Sequence, residues 1–301
     1  DWAWIGGLFD VLMPALALGV PVVAARMEKF NLQDCQRIIE EGGVRNVFFP
    51  PTALRMLKAD GAKIDGLRSV ASGGEPLGAE MLAWGQSAFG VAINEFYGQT
   101  ECNMVASSCG ALFDAAPGCI GKPAPGHEIA VLDARGQPSD VEGDIAVRRG
   151  SAAMMLEYWN RPDATAAAID SEGWFHSGDI GYFDEDGFLF ICDRLKDMII
   201  SGGENIFPVE VESAILSHDA VGEAAVIGVP DEKWGEVVHA IIVLRDGAHA
   251  TAEEILAHCR PQIAKYKLPR GITFRSDPLP LSGAGKVLKR ELRAPYWEGA
   301  R

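Results

Sequence analysis

The sequence predicts an α/β fold class in three consecutive parts, and three changes of pattern along its 301 residues indicate them. In residues 1–115, short β-branched or aromatic runs alternate with segments of helical spacing, which is typical of a parallel sheet covered by helices. In residues 116–193, short strand-like runs are separated by Gly, Pro and Asp turns, which predicts a small antiparallel, β-barrel-like subdomain. Residues 194–301 mix helical and strand-like segments, which predicts a compact α+β domain.

The elements of the first part follow from hydrophobic periodicity and from capping residues. A helix is predicted at residues 32–41, with Asn31 as its N-cap and Gly42 as its stop. A second helix is predicted to start at Thr52, directly after two prolines, and a third to cover residues 79–89. Three strands are predicted around these helices, at residues 20–25, 44–49 and 92–97.

In the other two parts, turn-forming residues between apolar runs indicate where the strands and helices lie. The sequences Asp133-Ala-Arg-Gly136 and Asp184-Glu-Asp-Gly187 lie between apolar runs and predict antiparallel hairpins. The strands of these hairpins are predicted at residues 128–132, 144–148 and 188–192. In the last part, helices are predicted at residues 208–216 and 252–262, and strands at residues 224–229 and 239–244. We place the domain boundary at residues 193–197, so that a large domain ends at 193 and a small one covers 194–301.

Composition and charge exclude some classes of function. Apolar residues make up 48% of the chain and charged residues 23%, which argues against disorder. The net charge of −15 disfavours nucleic acid as a partner. The longest apolar run, residues 11–25, is shorter than the about 20 residues that span a membrane, and it contains two prolines and a glycine. We therefore expect no transmembrane segment and interpret this run as a buried helix leading into a strand.

The cysteines and the uneven charge give two further expectations. Six cysteines are scattered without any C-x-x-C spacing, so we expect reduced thiols in or near the core of a cytoplasmic protein rather than disulfides or zinc ligands. Residues 260–293 carry nine basic and two acidic residues on an otherwise acidic chain. This patch indicates contact with a small anionic ligand, although an ordinary solvated basic helix and loop would have the same composition.

The first of five short motifs reads Ser72-Gly-Gly-Glu-Pro76 and follows a predicted strand. Paired glycines let the backbone approach a flat ligand, and parallel sheets bind nucleotides at the carboxyl ends of their strands. Taken alone, the motif would also fit a plain glycine-rich turn from strand to helix. The candidate nucleotide-binding residues are Gly73, Gly74, Glu75 and Pro76.

The second motif, Tyr97-Gly-Gln-Thr-Glu101, follows the next strand-like run. Here the sequence resembles the adenylate-forming superfamily, which includes acyl-CoA synthetases, luciferases and the adenylation domains of peptide synthetases. The resemblance implies that Tyr97 lies along the adenine, that Thr100 hydrogen-bonds a phosphate and that Glu101 helps to hold Mg²⁺. A hydroxyl donor and a hard carboxylate suit these ligands. The implied nucleotide-binding residues of this stretch are Glu95, Phe96, Tyr97, Gly98 and Gln99.

The third motif, Gly173-Trp-Phe-His-Ser-Gly-Asp179, matches the W-x-x-T/S-G-D pattern of that superfamily. An ionised carboxylate can accept hydrogen bonds from both ribose hydroxyls, and the resemblance implies this role for Asp179. His176 in the same motif could serve acid–base catalysis, but we interpret it as a packed or solvent-facing histidine.

The fourth motif is the most specific one and runs from Asp193 through Ile206 to Glu212. In relatives its arginine contacts the ribose, and the residue two positions further on is the hinge between the large and the small domain. The resemblance implies these roles for Arg194 and Lys196. A hinge residue absorbs a large backbone rotation. Gly202 and Gly203 would let the pantetheine arm of CoA pass closely. Many relatives have Gly where this chain has Asp193.

The fifth motif, Leu279-Pro-Leu-Ser-Gly-Ala-Gly-Lys286, matches the family pattern P-x-T-x-x-G-K with Ser282 in place of Thr. A lysine on a glycine-flanked loop is a mobile point charge that can reach the carboxylate and the α-phosphate as negative charge gathers there. The resemblance implies that Lys286 is the catalytic lysine of adenylation. As an isolated G-x-G-K, it would be a solvated surface lysine.

The implied reaction uses a carboxylic acid, ATP and CoA as substrates and Mg²⁺ as cofactor. The acid attacks the α-phosphate, which gives an acyl-adenylate and pyrophosphate, and positioning and electrostatics supply most of the acceleration. The small domain then turns at Lys196, and the CoA thiol displaces AMP. We expect Lys265, Lys267 and Arg270 of the basic patch to contact the CoA phosphates.

Two positions bear on the acyl group. Acetate-specific relatives carry Trp where this chain has Gly98, so the resemblance implies space for a longer alkyl or an aryl acid. Amino-acid-activating relatives carry an Asp near the position of Gly6, and its absence disfavours that class. The start of the chain resembles short- to medium-chain synthetases, whereas its C-terminal half resembles long-chain and coumarate-type ligases.

The phosphate-binding loop of the family, rich in Ser, Thr and Gly, does not occur in this sequence, and no Walker-type G-x-x-x-x-G-K-S/T replaces it. We therefore expect the chain to be the C-terminal part of a longer protein, with apolar surface that another segment covers. Three hypotheses stay open: an acyl-CoA synthetase, an adenylation domain that loads a carrier protein, and an inactive nucleotide-binding remnant.

Overall fold

The computed structural model describes residues 4–116, 118–281 and 287–298. The chain forms two compact units. One unit comprises Asp1–Ser177 and Gly181–Ile191, and the other comprises Gly178–Ile180 and Cys192–Arg301.

The first unit is built on a mixed sheet of nine strands in the described residues. These strands are β1 (Asn46–Phe48), β2 (Ser69–Gly73), β3 (Ile93–Gln99), β4 (Asn103–Ser107), β5 (Cys119–Pro123), β6 (Ile129–Leu132), β7 (Gly143–Arg148), β8 (Trp174–Phe183) and β9 (Leu189–Arg194). Their order across the sheet is β1-β2-β3-β4-β5-β9-β8-β7-β6. The first three strands are parallel, and β3–β4, β4–β5, β5–β9 and β6–β7 pair antiparallel.

Helices cover the parallel strands. They are α3 (Leu32–Gly42), α4 (Pro51–Ala59) and α5 (Ala79–Phe89), and α6 (Pro162–Ala168) follows later in the chain. Leu54, Leu57 and Val70 are fully buried in the cluster between these helices and the sheet. Because such burial needs an apolar face on each helix, the 3.6-residue periodicity locates these helices correctly.

The capping prediction for α3 is confirmed at its start and shifted at its end. The Asn31 side chain accepts a hydrogen bond from the Asp34 amide at 2.8 Å. The helix includes Gly42 and ends with Gly43, which adopts a left-handed conformation with φ 59°. Helix α4 likewise begins at Pro51, one residue before the predicted Thr52.

The prediction for the run at residues 11–25 is wrong. Short α-helices α1 (Ile5–Gly7) and α2 (Met13–Ala17) flank a π-helical turn at Leu8–Leu12, and residues 20–25 form no strand. A β-branched run needs a hydrogen-bonding neighbour, and no described strand pairs with this one. The expected apolar surface is present instead, because large side chains of this region are exposed: Phe9, Met13, Leu16, Leu18, Val20 and Val23.

The hairpins of the second part are confirmed. The Gly136 amide donates to the Asp133 carbonyl between β6 and β7, and the Gly187 amide donates to the Asp184 carbonyl between β8 and β9. The described strands continue the sheet of the first part and do not close into a barrel. The turn residues thus located the strands, whereas closure depends on long-range register that the sequence does not reveal.

The second unit is a five-stranded sheet in the described residues, with helices on both faces. Its strands are β10 (Ile199–Ser201), β11 (Glu204–Ile206), β12 (Val221–Asp231), β13 (Gly235–Leu244) and β14 (Gly271–Arg275), and its helices are α7 (Pro208–Leu216), α8 (Ala252–Cys259) and α9 (Lys289–Trp297). Val226 and Ile242 pack with α7 and α8, whereas Ile227 and Ile241 pack with Leu292 of α9. The predicted α+β arrangement is confirmed, with α8 ending at Cys259 rather than residue 262.

Two chain-wide expectations can be compared with the described residues. None of the helices described is long and apolar enough to cross a membrane. The six cysteines all lie in the described residues, where none of them forms a disulfide, and four of them are buried.

Candidate functional site

The first two motifs meet at the carboxyl ends of adjacent parallel strands. Ser72 of β2 lies opposite Glu95 of β3, and Gly73 lies opposite Phe96. The loop from Gly74 to Pro76 therefore leaves the sheet beside Tyr97. Gly74 has a φ of 106°, a backbone conformation that glycine adopts readily and other residues rarely adopt. Gly74 and Pro76 are exposed. This edge of the sheet is where α/β folds bind nucleotides.

Gly73 is required by close packing. A Cβ atom at Gly73 would lie 2.6 Å from the Phe96 ring, so a larger residue would displace that ring. Phe96 packs in turn on Phe48, with ring centroids 5.4 Å apart, and Phe48 packs on Trp4 at the same distance. Phe96 is thus part of an aromatic row that fixes the backbone of the Gly73 loop.

Glu95 supports the first motif from inside the protein. Its side chain is buried, and Oε1 accepts a hydrogen bond from the Leu77 amide at 3.0 Å. The backbone of Glu95 is held as well, because its amide donates to Ser108 Oγ at 2.7 Å. Burial raises the pKa of Glu95, an effect that the Leu77 amide opposes. The side chain therefore anchors the loop that follows Pro76.

Glu75 is held by an ion pair on the same edge. Its carboxylate lies 2.9 Å from the Arg55 guanidinium of α4. This ion pair ties the loop between β2 and α5 to helix α4, and the Glu75 side chain stays partly exposed.

Gly98 is a glycine because backbone approaches it closely. A Cβ atom there would overlap the carbonyl oxygen of Asn103 and lie 2.6 Å from the carbonyl carbon. The β3–β4 pairing has a register shift between Tyr97 and Gly98, and Asn103 adopts a left-handed conformation with φ 56°. The interpretation of Gly98 as a source of acyl-pocket volume is therefore corrected, since backbone occupies the direction a side chain would take.

Thr100 and Glu101 occupy the turn between β3 and β4. The turn is closed by the Cys102 amide, which donates to the Gln99 carbonyl at 3.1 Å. Thr100 is exposed, whereas Glu101 is partly buried. The Tyr158 hydroxyl donates to Glu101 Oε1 at 2.8 Å, and the Met155 amide donates to the Glu101 carbonyl at 2.6 Å. Burial and this contact with Glu101 raise the pKa of Tyr158 to about 12.

The donor set at Glu101 fits a magnesium ion that is bound mostly by other groups. Glu101 Oε2 makes no hydrogen bond or ion pair with another described residue. In the part of the chain that the structure describes, no three His, Cys, Asp or Glu side chains cluster into a metal site. Mg²⁺ commonly takes one or two carboxylates and completes its shell with substrate phosphates and water, so a single open carboxylate oxygen is suitable.

Gln99 connects the second motif to the third. Its Nε2 donates to the Ser177 carbonyl at 2.9 Å, across 78 residues of sequence. Ser177 lies on β8, two residues before Asp179. Tyr97 is partly buried and packs against apolar clusters of this unit.

His176 is held between two carboxylates. Its Nδ1 lies 2.5 Å from Asp144 Oδ2 and its Nε2 lies 3.2 Å from Asp170 Oδ2. Burial lowers the pKa of His176, but both carboxylates favour the charged form and together raise it above the ordinary value. The ring thus links β7 to the turn before β8, which favours the packed interpretation over acid–base catalysis.

In the second unit, Asp179 and Arg194 are neighbours. Arg194 Nε lies 3.6 Å from Asp179 Oδ1, and the Asp179 side chain is almost fully buried while that of Arg194 is about half exposed. A buried carboxylate beside a guanidinium is suited to accept hydrogen bonds from a diol.

Asp193 is a buried cap rather than a surface residue. Its Oδ1 accepts from the Arg194 amide at 2.7 Å, and its Oδ2 accepts from the Val209 amide at the start of α7 at 2.9 Å. Burial raises the pKa of Asp193, and the charge of Lys289 opposes the rise. The carboxylate therefore accepts two backbone hydrogen bonds that a glycine at this position could not accept.

The predicted hinge residue Lys196 has an exposed side chain and a backbone carbonyl that accepts a hydrogen bond. Its carbonyl accepts a hydrogen bond from Arg293 Nη1 at 3.3 Å, and the same guanidinium pairs with Glu236 at 3.3 Å. Helix α9 thus contacts the segment that the sequence marks as the hinge.

Gly202 and Gly203 form the turn between β10 and β11, and both adopt positive φ, at 62° and 88°. The Gly202 amide donates to the Trp234 carbonyl at 2.8 Å, and a Cβ on Gly202 would overlap the Trp234 ring. Arg270 lies over the same ring at 5.0 Å. Trp234 was missed in the sequence, although a tryptophan beside a glycine in the short turn from Asp231 to Gly235 is a signal for it.

The two lysines expected to contact the CoA phosphates differ. Lys265 is exposed, whereas Lys267 is mostly buried and pairs with Glu210 of α7 at 2.5 Å. An anion at Lys267 would therefore compete with a carboxylate. Lys286 lies outside the described residues.

Comparison with known proteins identifies the family. A family model described as AMP-binding enzyme matches residues 1–159, and one described as AMP-binding enzyme C-terminal domain matches residues 210–286. The chain belongs to the AMP-binding enzyme family. The resemblance inferred from the five motifs is thereby confirmed.

The chain spans somewhat more than half the length of the curated AMP-binding relatives it matches. A fatty acid–[acyl-carrier-protein] ligase, ScoC, from Streptomyces coeruleorubidus is 36% identical over 307 aligned positions, which cover 97% of this chain and 57% of that protein. An acetyl-coenzyme A synthetase from Bacillus subtilis is 36% identical, covering 99% of this chain and 53% of the synthetase. A feruloyl-CoA synthase from Amycolatopsis is 39% identical, covering 95% and 58%.

Solved structures of AMP-binding enzymes confirm the fold class. The o-succinylbenzoate coenzyme A synthetase (MenE) of Bacillus subtilis, in complex with ATP and a magnesium ion, has a TM-score of 0.87 at 33% identity, over 97% of this chain and 60% of that one. ATP-bound MatB from Rhodopseudomonas palustris has a TM-score of 0.87 at 31% identity, over 98% and 59%.

Proposed function

We propose that this chain belongs to an ATP-dependent acyl-CoA synthetase, an AMP-forming acid–thiol ligase. The observation that carries the proposal is the turn after β3, where exposed Thr100 and the open oxygen of Glu101 stand at the carboxyl end of a parallel strand. Membership of the AMP-binding enzyme family supports the assignment of that turn to ATP.

In the first half-reaction, the carboxylate of the acid attacks the α-phosphorus of ATP and displaces pyrophosphate. Tyr97 lies along the adenine, and the Thr100 hydroxyl donates to a phosphate oxygen. Glu101 Oε2 holds Mg²⁺, which when bound neutralises phosphate charge. Glu95 and Phe96 keep the Gly73–Gly74 backbone in place beside the base.

We assign ribose binding to Asp179 and Arg194. The Asp179 carboxylate accepts hydrogen bonds from the ribose hydroxyls, and the neighbouring Arg194 guanidinium, with Nε 3.6 Å from Asp179 Oδ1, donates to the same sugar. Lys286 supplies the charge that stabilises the attacked phosphorus centre.

In the second half-reaction, the CoA thiol attacks the acyl-adenylate and displaces AMP, after a rotation at Lys196. The Gly202–Gly203 turn, backed by Trp234, passes the pantetheine arm. Exposed Lys265 and Arg270 bind CoA phosphates, whereas Lys267 has to exchange its Glu210 partner for phosphate.

For the acid, we propose a substrate larger than acetate. Two of the three relatives discussed above are named for acids larger than acetate, a fatty acid and ferulate, and one is named for acetate, and this majority supports the proposal. A panel of acetate, octanoate, palmitate and ferulate measured by AMP release separates these classes. Preference for acetate would contradict the proposal.

A second candidate is loading of a carrier protein. The relative from Streptomyces coeruleorubidus is a fatty acid–[acyl-carrier-protein] ligase, which favours this alternative. A thioester assay with the intact protein, ATP and the preferred acid distinguishes the acceptors. Acyl-CoA formed faster than acyl-carrier protein supports the synthetase, and the reverse supports the alternative.

The compartment we propose is the cytoplasm, where ATP and CoA are available and where reduced thiols such as these six persist.

A further inference from the structure

The candidate metal ligand Glu101 is held by a distant loop. Residues 151–160 reach it at two points, through the Met155 amide on its carbonyl and through the Tyr158 hydroxyl on Oε1. The two bonds fix both the backbone and the side-chain direction of Glu101. No family motif singled out in the sequence includes Tyr158.

The loop that carries Tyr158 is anchored on its other side. The Tyr158 amide donates to Thr165 Oγ1 at 3.0 Å, and its carbonyl accepts from the Arg161 amide at 3.0 Å, so α6 and its start hold the residue. Met154 is buried in the same cluster as Cys102, the neighbour of Glu101. The hydroxyl therefore reaches the carboxylate from a backbone that is fixed by hydrogen bonds and packing.

We propose that Tyr158 is a positioning residue for the metal-binding carboxylate. By donating to Oε1, its hydroxyl keeps Glu101 in one rotamer and directs Oε2 to a divalent cation that accompanies ATP. The inference rests on the proposed function, because it takes Glu101 to be the magnesium ligand.

Geometry explains why a hydroxyl suits this task. A carboxylate with one oxygen engaged by a neutral donor keeps its negative charge, and it can bind a cation through the other oxygen. Groups that orient metal ligands in this way affect metal affinity by about 10- to 100-fold when removed. A lysine or arginine at the same place would repel the cation.

The test is Tyr158→Phe in the intact protein, which keeps the ring and removes the donor. Binding of Mn²⁺ in the presence of a non-hydrolysable ATP analogue is measured by titration calorimetry, alongside the Mg²⁺ concentration that gives half-maximal adenylation. We expect metal affinity to fall about tenfold. We also expect kcat at saturating metal to stay within about twofold of the wild type, because phenylalanine leaves both carboxylate oxygens in place.

Two controls separate positioning from stability. Tyr182→Phe changes a tyrosine whose ring stacks on Phe190 at 5.0 Å, and it should leave metal affinity unchanged. The unfolding temperature of each variant shows whether folding is affected. A lower unfolding temperature with unchanged metal affinity in the folded protein would reduce Tyr158 to a structural role and overturn the proposal.

The remaining outcomes are also decisive. Tighter metal binding by Tyr158→Phe would mean that the hydroxyl competes with the cation, which overturns the proposal. If the wild type binds the analogue with metal and the variant is indistinguishable from it, only this inference fails. If the wild type binds no metal with the analogue, the proposed function fails as well.

Discussion

At the scale of single residues, Gly98 is a glycine for a packing reason that differs from the one the sequence suggests. The family resemblance implies that the glycine in the Tyr97–Glu101 motif leaves space for an acyl group. The structure instead has the Asn103 carbonyl where a side chain would start, at a bulge between β3 and β4. A contact between residues five apart in a bulged hairpin depends on local register, which composition does not reveal.

We therefore predict that Gly98→Ala lowers stability by about 1–3 kcal/mol, because the added methyl group has to displace backbone. Urea unfolding of the variant and the wild type measures the difference. The matched control is Gly222→Ala, where the nearest atom to a new Cβ is 3.4 Å away, an ordinary contact. Equal stability of the two variants would contradict the packing argument.

A second residue-scale prediction concerns His176. Its pKa is raised by Asp144 and Asp170 against the effect of burial, so folding favours the protonated ring. The stabilisation is fully present below the ordinary histidine pKa of about 6.5 and is lost as pH rises through the raised folded pKa.

The stability difference between the wild type and His176→Gln should therefore shrink as pH increases from 6 to 9. Urea unfolding at several pH values gives this difference. A difference that grows with pH would show that the histidine is held in its neutral form.

Residues that act through neighbours were not predictable from sequence. Glu95 was assigned to the nucleotide, and the structure has its carboxylate on the Leu77 amide. Tyr158 and Trp234 were not singled out at all, because each acts on a residue far away in the chain. Thr100 and Glu101, by contrast, lie at the end of a parallel strand, as their motif indicates.

At the scale of elements, local sequence signals locate a helix or strand correctly where the described chain provides the surface on which that element packs. Helix α7 has the predicted bounds because Pro208 starts it and its apolar face packs on the sheet of the second unit. The strand predicted at residues 20–25 is absent, because β-branched composition indicates a tendency that only a neighbouring strand can satisfy.

Helices α7 and α9 are joined by a nearly buried ion pair, Lys289 with Glu212 at 2.8 Å. Burial raises the pKa of Glu212, and the charge of Lys289 and hydrogen bonds from Lys289 and the Val226 amide oppose the rise. Removing one partner leaves the other buried without its counter-charge, and this lowers the stability of the protein more than removing both partners does.

We expect Lys289→Met to lower the free energy of unfolding by about 3 kcal/mol, and Lys289→Met with Glu212→Gln to recover part of that loss. Lys58→Met is the control, because its partner Glu80 is 90% exposed and such pairs contribute less than about 1 kcal/mol. A double variant less stable than Lys289→Met would contradict this account.

At the scale of the whole molecule, the family and the fold class were predictable because five motifs occur in a fixed order along one chain. Their order does not reveal what covers the apolar side chains from Phe9 to Val23, several of which are about half exposed or more. The chain also spans only 53–58% of the curated relatives discussed, so the activity of the whole protein is a proposal.

Acid-dependent exchange of labelled pyrophosphate into ATP by the intact protein tests directly whether the turn after β3 serves adenylation. We expect exchange that needs both a carboxylic acid and Mg²⁺. We also expect Glu101→Ala to reduce the exchange rate by at least about tenfold, and Glu185→Ala, which removes an exposed carboxylate in a surface turn, to leave it unchanged. Exchange that is absent with every acid, or that persists undiminished in Glu101→Ala, would contradict this role of the turn.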